Sequence, residues 1–177
     1  MWRMKSAKLS AWDAAYAVDM AIACLMTYWL AIALLPHLLG RPNTAVGVLW
    51  AVIATVFVYR DTRAHSVAAG ISRLMAAFAA CTLCLIYLSL LPATTIAMAA
   101  LIAIGAMLMI LMGRRDEIGL AAATIAVVMI VAMSDPQDAW QQPLLRLLDT
   151  VVGVGVGVAC KWVGSFLFYR IVGERVR

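Results

Sequence analysis

Six apolar runs, separated by short polar stretches, constrain this fold more than any other feature of the sequence. The runs cover residues 14–36, 44–59, 66–91, 93–112, 118–133 and 144–169. A helix needs about 20 apolar residues to cross a bilayer, with a range of roughly 17–25. Of the 177 residues, 66% are hydrophobic and 13% are charged, whereas a soluble domain averages about 45–50% and about 25%. The sequence therefore predicts an all-α membrane protein, one domain over residues 1–177 with six transmembrane helices, the second and fifth of them short.

The distribution of cations predicts the orientation of these spans. If the N-terminus is cytoplasmic, all but Arg41, Arg146 and Lys161 of the 14 cations lie on the inner side. The positive-inside rule then places both termini in the cytoplasm. The first run is longer than the apolar core of a signal peptide, so we expect an uncleaved span. We expect this span to end at Pro36, followed by a turn over residues 40–43.

The sixth run carries small and polar residues on one helical face. They are Arg146, Asp149, Gly153, Gly157, Lys161 and Gly164. Their spacings sum to 18 residues, which is five turns at about 3.6 residues per turn. Charges are costly inside a bilayer, so a chain that keeps them there usually needs them for a pathway or a partner. This face makes transport the leading functional hypothesis.

The glycines of this face have a simpler interpretation. Gly153 and Gly157 form a small-xxx-small pair, which allows a second helix backbone to approach closely. Gly164 continues the same line and is also predicted to pack against a helix. The sequence leaves open whether the partner helix belongs to this chain or to a second copy, and whether a dimer would form at the fifth or the sixth span.

The charged residues of this face predict two polar sites. Arg146 and Asp149 can pair at the outer end of the span, as an interfacial anchor or as a substrate or proton site. Lys161 and Asp19 lie at similar depth near the cytoplasmic side, and we expect them to face one interior region and to pair. Alternatively, Lys161 extends to the membrane surface. Asp19 is a candidate proton-coupling group, because low dielectric and a nearby ammonium act oppositely on the proton affinity of a carboxylate.

A weak internal repeat adds Arg73 to the candidate pathway. Arg73 begins RLMAAFAAC and Arg146 begins RLLDTVVGV, 73 residues later. Two halves of three spans each would be inverted relative to one another, as in many transporters with a site near the midplane. The alternative is that two apolar helices preceded by arginine simply look alike. Arg73 would then contact lipid headgroups instead of a carboxylate or phosphate substrate.

Other function classes find little support in the sequence. Two histidines, His37 and His65, fall on opposite sides of the predicted membrane, and Cys81 and Cys84 are typical of packing residues at lipid depth. We therefore expect no metal site and no cofactor. The net charge of +5 follows from the membrane topology and does not indicate nucleic-acid binding. An enzyme is disfavoured, because no nucleophile or acid–base pattern stands out.

Two segments resemble a known family of membrane proteins. They are YRDTRAHSVAAGISR at residues 59–73 and RLLDTVVGVGVGV at residues 146–158, preceded by Pro36 and Pro42 around the first loop and Trp50 in the second span. This order resembles the membrane domain of the fusaric acid resistance and aromatic acid exporter superfamily, in a half-size form without its cytoplasmic domain. The resemblance implies export of small aromatic or amphipathic organic anions across a bacterial inner membrane. It also implies a homodimer, a possible periplasmic adaptor protein and possible proton coupling.

Together these features predict an exporter in which arginine attracts the carboxylate of the substrate and apolar helix faces accept its ring. Two alternatives remain open. One is a passive anion channel, in which flux follows voltage and ignores a proton gradient. The other is a structural membrane subunit that docks a partner and transports nothing. The exporter hypothesis requires the charges of the sixth span to face a hydrated seam between helices.

Overall fold

The structure is a computed structural model that describes residues 11–39, 45–60 and 62–175, with side chains over 13–34, 45–60 and 62–166. Six α-helices make up most of it, and no strand occurs in these ranges. The helices are α1 (Ala11–Leu39), α2 (Ala45–Val58), α3 (Arg63–Leu90), α4 (Thr95–Leu111), α5 (Ile118–Ser134) and α6 (Gln142–Arg175). Short 3₁₀ turns, Arg115–Glu117 and Pro136–Gln141, precede α5 and α6.

Four of the helical segments are long and apolar enough to cross a membrane, namely Asp13–Leu34, Arg63–Leu90, Arg115–Ser134 and Pro136–Phe166. The helices α2 and α4 are apolar but shorter, with 14 and 17 residues. A helix of the length of α2 extends about 21 Å, less than the roughly 30 Å of a hydrocarbon core. The fifth span was expected to be short, but the 3₁₀ turn before α5 lengthens it to 20 residues.

The end of the first helix differs from the prediction. Pro36 was expected to end the span, but α1 continues to Leu39. Proline lacks one N–H donor and crowds the turn before it, but its fixed φ of about −65° is helical, so the backbone can continue through the three residues that follow. The turn predicted at residues 40–43 lies outside the described residues.

Threonine side chains begin two of the helices. Thr62 Oγ1 accepts a hydrogen bond of 3.2 Å from the backbone N–H of His65 at the start of α3. Thr94 Oγ1 does the same for Ala97 at the start of α4, also at 3.2 Å. Each satisfies an N–H that has no intrahelical partner. Gly113 ends α4 with a φ of 71°, which glycine adopts without steric cost.

The helices form two groups that meet along α3 and α6. In one group α1 and α2 pack against each other and against α6. In the other group α4 and α5 pack together, and α5 lies against α3. This second group has a continuous apolar core, in which Met109, Ile125 and Met129 are fully buried.

Large apolar side chains cover the outside of the bundle. Trp29, Phe78, Ile96 and Leu111 are 63%, 60%, 84% and 78% exposed. A soluble protein rarely exposes so much contiguous apolar surface, whereas a bilayer requires it. The helix lengths and this surface together indicate a multi-pass membrane protein.

Candidate functional site

Three charged residues of α6 point into the bundle. Arg146, Asp149 and Lys161 are only 5%, 3% and 7% exposed. They face α1 and α2, the helices that α6 contacts on this side. Since an unpaired charge in an apolar interior is very costly, each of them needs partners that these two helices supply.

The middle of the same face is closed by α2. A Cβ added at Gly153 would overlap the backbone oxygen of Ala51 and lie 2.7 Å from the Cβ of Ala54. A Cβ at Gly157 would lie 3.3 Å from the Cα of Thr55. The glycines therefore serve close helix packing within the chain, and no open path runs along this face between Asp149 and Lys161.

Hydroxyl groups connect the three helices at this closed point. Thr27 Oγ1 and Thr55 Oγ1 are 2.7 Å apart, and Thr55 Oγ1 lies 2.9 Å from the carbonyl oxygen of Gly153. If Thr27 donates to Thr55, Thr55 can donate to Gly153, so one chain of hydrogen bonds joins α1, α2 and α6. Both threonines are completely buried. Such bonds make an apolar interface specific for one arrangement of its helices.

The first charged site, the Arg146 cluster, consists of Arg146, Asp149 and Trp50, with the carbonyl of Val46. Arg146 Nη1 lies 3.3 Å from Asp149 Oδ2 and donates to the Val46 oxygen at 3.4 Å. The guanidinium carbon stands 5.4 Å from the centroid of the Trp50 ring. In this cluster a buried cation therefore contacts both a carboxylate and an aromatic ring.

The second charged site, the Lys161 cluster, consists of Lys161, Tyr16, Tyr59 and Asp19. Lys161 Nζ lies 4.9 Å from each of the two tyrosine ring centroids. The rings themselves meet edge to face at 5.5 Å. Tyr59 donates its hydroxyl hydrogen bond to Asp19 Oδ2, and the Asp19 carboxylate packs directly on Gly164. The cluster can hold a cation through ring faces and a carboxylate through a phenol.

The predicted pairing of Lys161 with Asp19 takes an indirect form. Both residues belong to one cluster, as expected from their depth. However, they form no direct ion pair within the described part of the chain, where α6 contains one ion pair, between Arg146 and Asp149. Tyr59 contacts both Lys161 and Asp19, so a phenol mediates between the ammonium and the carboxylate.

Arg73 lies apart from both clusters. Its guanidinium carbon stands 4.5 Å from the centroid of the Phe57 ring, and the residue is 6% exposed. Its Nε is buried without a hydrogen-bond partner. The neighbouring Ser72 accepts a hydrogen bond of 2.7 Å from Arg114, in the connection between α4 and α5. Arg73 therefore lies near that end of the bundle and retains hydrogen-bonding capacity.

The aromatic partners of the buried cations were not predicted. Trp50 lies five residues inside α2 and so fits poorly the usual place of a tryptophan, which is the membrane interface. That misfit was the available signal, because an indole away from the membrane surface needs another reason to be there. Tyr59 lies at the end of the second apolar run, and nothing in the sequence links it or Tyr16 to Lys161.

The fold and these clusters define a multi-pass helical membrane protein with charges buried between helices. A comparison with family models matches residues 22–160 to the family described as fusaric acid resistance protein-like. The chain belongs to this family, as the resemblance in the sequence predicted. The match includes the whole Arg146 cluster, whereas Tyr16, Asp19 and Lys161 lie outside it. Family membership indicates a membrane transporter in general.

No curated protein and no solved structure matches the chain.

Proposed function

We propose that this protein exports small aromatic or amphipathic organic anions, using the Arg146 cluster and the Lys161 cluster as its two polar sites. The observation that carries the proposal is the pairing of a buried cation with an aromatic surface in each cluster. An aromatic carboxylate needs these two groups, because the cation binds its carboxylate and the ring face binds its ring. Substrate would compete with Asp149 for the guanidinium of Arg146.

The closed point between the clusters supports a carrier over a passive channel. Gly153 and Gly157 are in contact with the backbone of α2, so an anion cannot pass along this face in the arrangement that the structure has. In a carrier, α6 would move against α1 and α2 and would open the two sites in turn. The hydrogen bonds from Thr27 through Thr55 to Gly153 would then belong to one of the two arrangements.

Arg73 is proposed as a third group of the pathway. Its Nε without a partner supports an anion-attracting role near the α4–α5 end of the bundle. Phe57, over which the guanidinium lies, is 55% exposed and offers a ring surface beside the cation. No hydrogen bond in the described part of the chain joins Arg73 to the two clusters. Arg73 would therefore bind the substrate anion either before it reaches them or after it leaves them.

The arrangement of helix neighbours supports the three-plus-three inverted repeat. Helix α1 packs on α2 as α4 packs on α5, and α2 packs on α6 as α5 packs on α3. Likewise, α1 contacts α6 and α4 contacts α3. A homodimer in a bacterial inner membrane, with both termini in the cytoplasm and a periplasmic adaptor, completes the proposal.

The membrane potential can supply the driving force for export of an anion. An inside-negative potential of about 100 mV corresponds to about 2.3 kcal/mol per charge, which supports a gradient of about 50-fold at about 1.4 kcal/mol per tenfold. Asp19, held by Tyr59 beside Lys161, is the group through which we expect pH to act on the cycle.

Efflux from liposomes tests this proposal. The purified chain is reconstituted alone, the lumen is loaded with para-hydroxybenzoate, and a potassium gradient with valinomycin imposes an inside-negative potential. We expect saturable efflux that Asp149→Asn impairs and that Asp116→Asn, the same change on an exposed turn, leaves unchanged. We expect Asp19→Asn to abolish the pH dependence of efflux.

Other results would favour the alternatives. Non-saturable flux that also carries chloride and follows voltage would indicate a channel. An absence of any flux from correctly folded protein would indicate a structural subunit.

A further inference from the structure

An open groove runs along the outer surface of the bundle between the start of α3 and α6. It has a volume of about 520 Å³. Its lining residues are Arg63, Ala64, Val67, Ala68, Ile71 and Trp162. The groove is separate from both buried clusters, because Lys161 points inward whereas the next residue, Trp162, is 54% exposed.

The lining residues are arranged with charge at one end and aliphatic surface below it. Arg63 is the first residue of α3, so it lies at an end of the bundle. Val67 and Ile71 follow at intervals of four residues on the same helical face and extend about 12 Å along the axis at about 1.5 Å per residue. Ala64 and Ala68 have small side chains, which leave the space of the groove free.

Arg63 is held in place without losing its capacity to bind an anion. Its guanidinium carbon lies 5.4 Å from the centroid of the Trp162 ring. A ring contact of this kind orients the planar guanidinium and leaves its N–H groups available. Tryptophan is also the residue that prefers the headgroup level of a membrane.

We propose that this groove binds one phospholipid with an anionic headgroup, with its phosphate on Arg63 and an acyl chain along Val67 and Ile71. The charge of Arg63 matches the phosphate, and the aliphatic wall below it matches the chain. A single-ring aromatic acid such as para-hydroxybenzoate is too short to cover this wall. The groove opens on the surface that carries Ile71, 53% exposed, which is the surface that the bilayer covers in a multi-pass protein. The proposal is independent of the transported substrate.

Native mass spectrometry of the purified full chain tests lipid binding. The protein in detergent is mixed with equal amounts of phosphatidylglycerol and phosphatidylcholine, and the retained lipid is counted. We expect wild-type protein to retain phosphatidylglycerol preferentially. Arg63→Gln should weaken that preference about fivefold, the value of one basic residue near anionic lipid. Arg115→Gln, a change of the same charge at an exposed position, should leave it unchanged.

A second variant keeps the test decisive if Arg63→Gln folds poorly. Ala68→Phe fills the groove without altering charge, so it should lower the retention of phosphatidylglycerol, and unchanged retention by this variant would overturn the proposal. Equal retention of both lipids by wild-type protein would overturn the proposal. So would displacement of the lipid by para-hydroxybenzoate, or a groove that is protected from lipid by a second copy of the chain.

Discussion

The two helix groups of this molecule are packed with different kinds of side chain. Where α3 meets α4 and α5, the interface is filled by aliphatic and sulfur-containing side chains, with Ile125 and Met129 fully buried. Where α6 meets α1 and α2, the interface combines small apolar clusters with glycines, paired threonines and charges held over aromatic rings. The side chains between α3, α4 and α5 serve packing. Those between α6, α1 and α2 include charges and hydroxyl groups that packing alone does not require.

The difference between the two groups is largest at positions that the 73-residue offset of the proposed repeat aligns. Asp149, Gly153, Gly157 and Lys161 lie 73 residues after Ala76, Ala80, Cys84 and Leu88. All four earlier residues belong to the apolar core of the second group. The offset that aligns Arg146 with Arg73 therefore aligns a polar face with an apolar one. Under the proposed repeat, one half therefore carries polar and small residues where the other half carries apolar core residues.

The largest effect on stability is expected from breaking the buried ion pair. Asp149→Leu leaves the guanidinium of Arg146 without its carboxylate, and loss of one partner of a buried pair costs about 3–5 kcal/mol. The double variant Arg146→Met with Asp149→Leu should recover most of this loss. Thermal unfolding in detergent measures both. If the single variant were as stable as the double, the pair would not be buried as described.

A smaller effect is expected from the glycine contact, with a matched control on the same helix. Gly153→Ala places a Cβ against the backbone of α2, and overpacking of this kind costs about 1–3 kcal/mol. Gly155 has no atom within 4 Å of an added Cβ, so Gly155→Ala should be neutral or stabilising by up to about 1 kcal/mol. Equal unfolding temperatures for the two variants would contradict the close approach of α6 to α2.

Among these changes, the smallest effect is expected from the threonine chain, and it should be cooperative. Thr55→Val removes the hydroxyl that links α1 to α6, at about 0.5–1.5 kcal/mol for each hydrogen bond lost. Thr27→Val in the Thr55→Val background should then cost less than it does alone, because both residues belong to one chain of hydrogen bonds. A double-mutant cycle of unfolding free energies measures this. Strictly additive changes would show that the two hydroxyls act independently.

The sequence predicted the helices well and the partners of the charges poorly. The helices form where apolar runs are long enough, and this is a local property that length and composition reveal. The inward direction of Arg146 and Lys161 followed from helical spacing. Their partners Trp50 and Tyr16 come from helices about 100 or more residues earlier in the chain, and only tertiary packing brings them together.

Efflux of para-hydroxybenzoate by Lys161→Met and Leu88→Met, compared side by side, tests the central claim most directly. Under the proposed repeat the two positions correspond to each other, and methionine keeps an unbranched apolar chain at each. Among the described residues Lys161 forms no ion pair and contacts Asp19 only through Tyr59, so we expect its variant to fold. We expect Lys161→Met to lower the initial efflux rate at least about tenfold, equivalent to about 1.4 kcal/mol, and Leu88→Met to transport like the wild type. Wild-type efflux from Lys161→Met, or equal losses in both variants, would contradict the assignment of transport to the polar half.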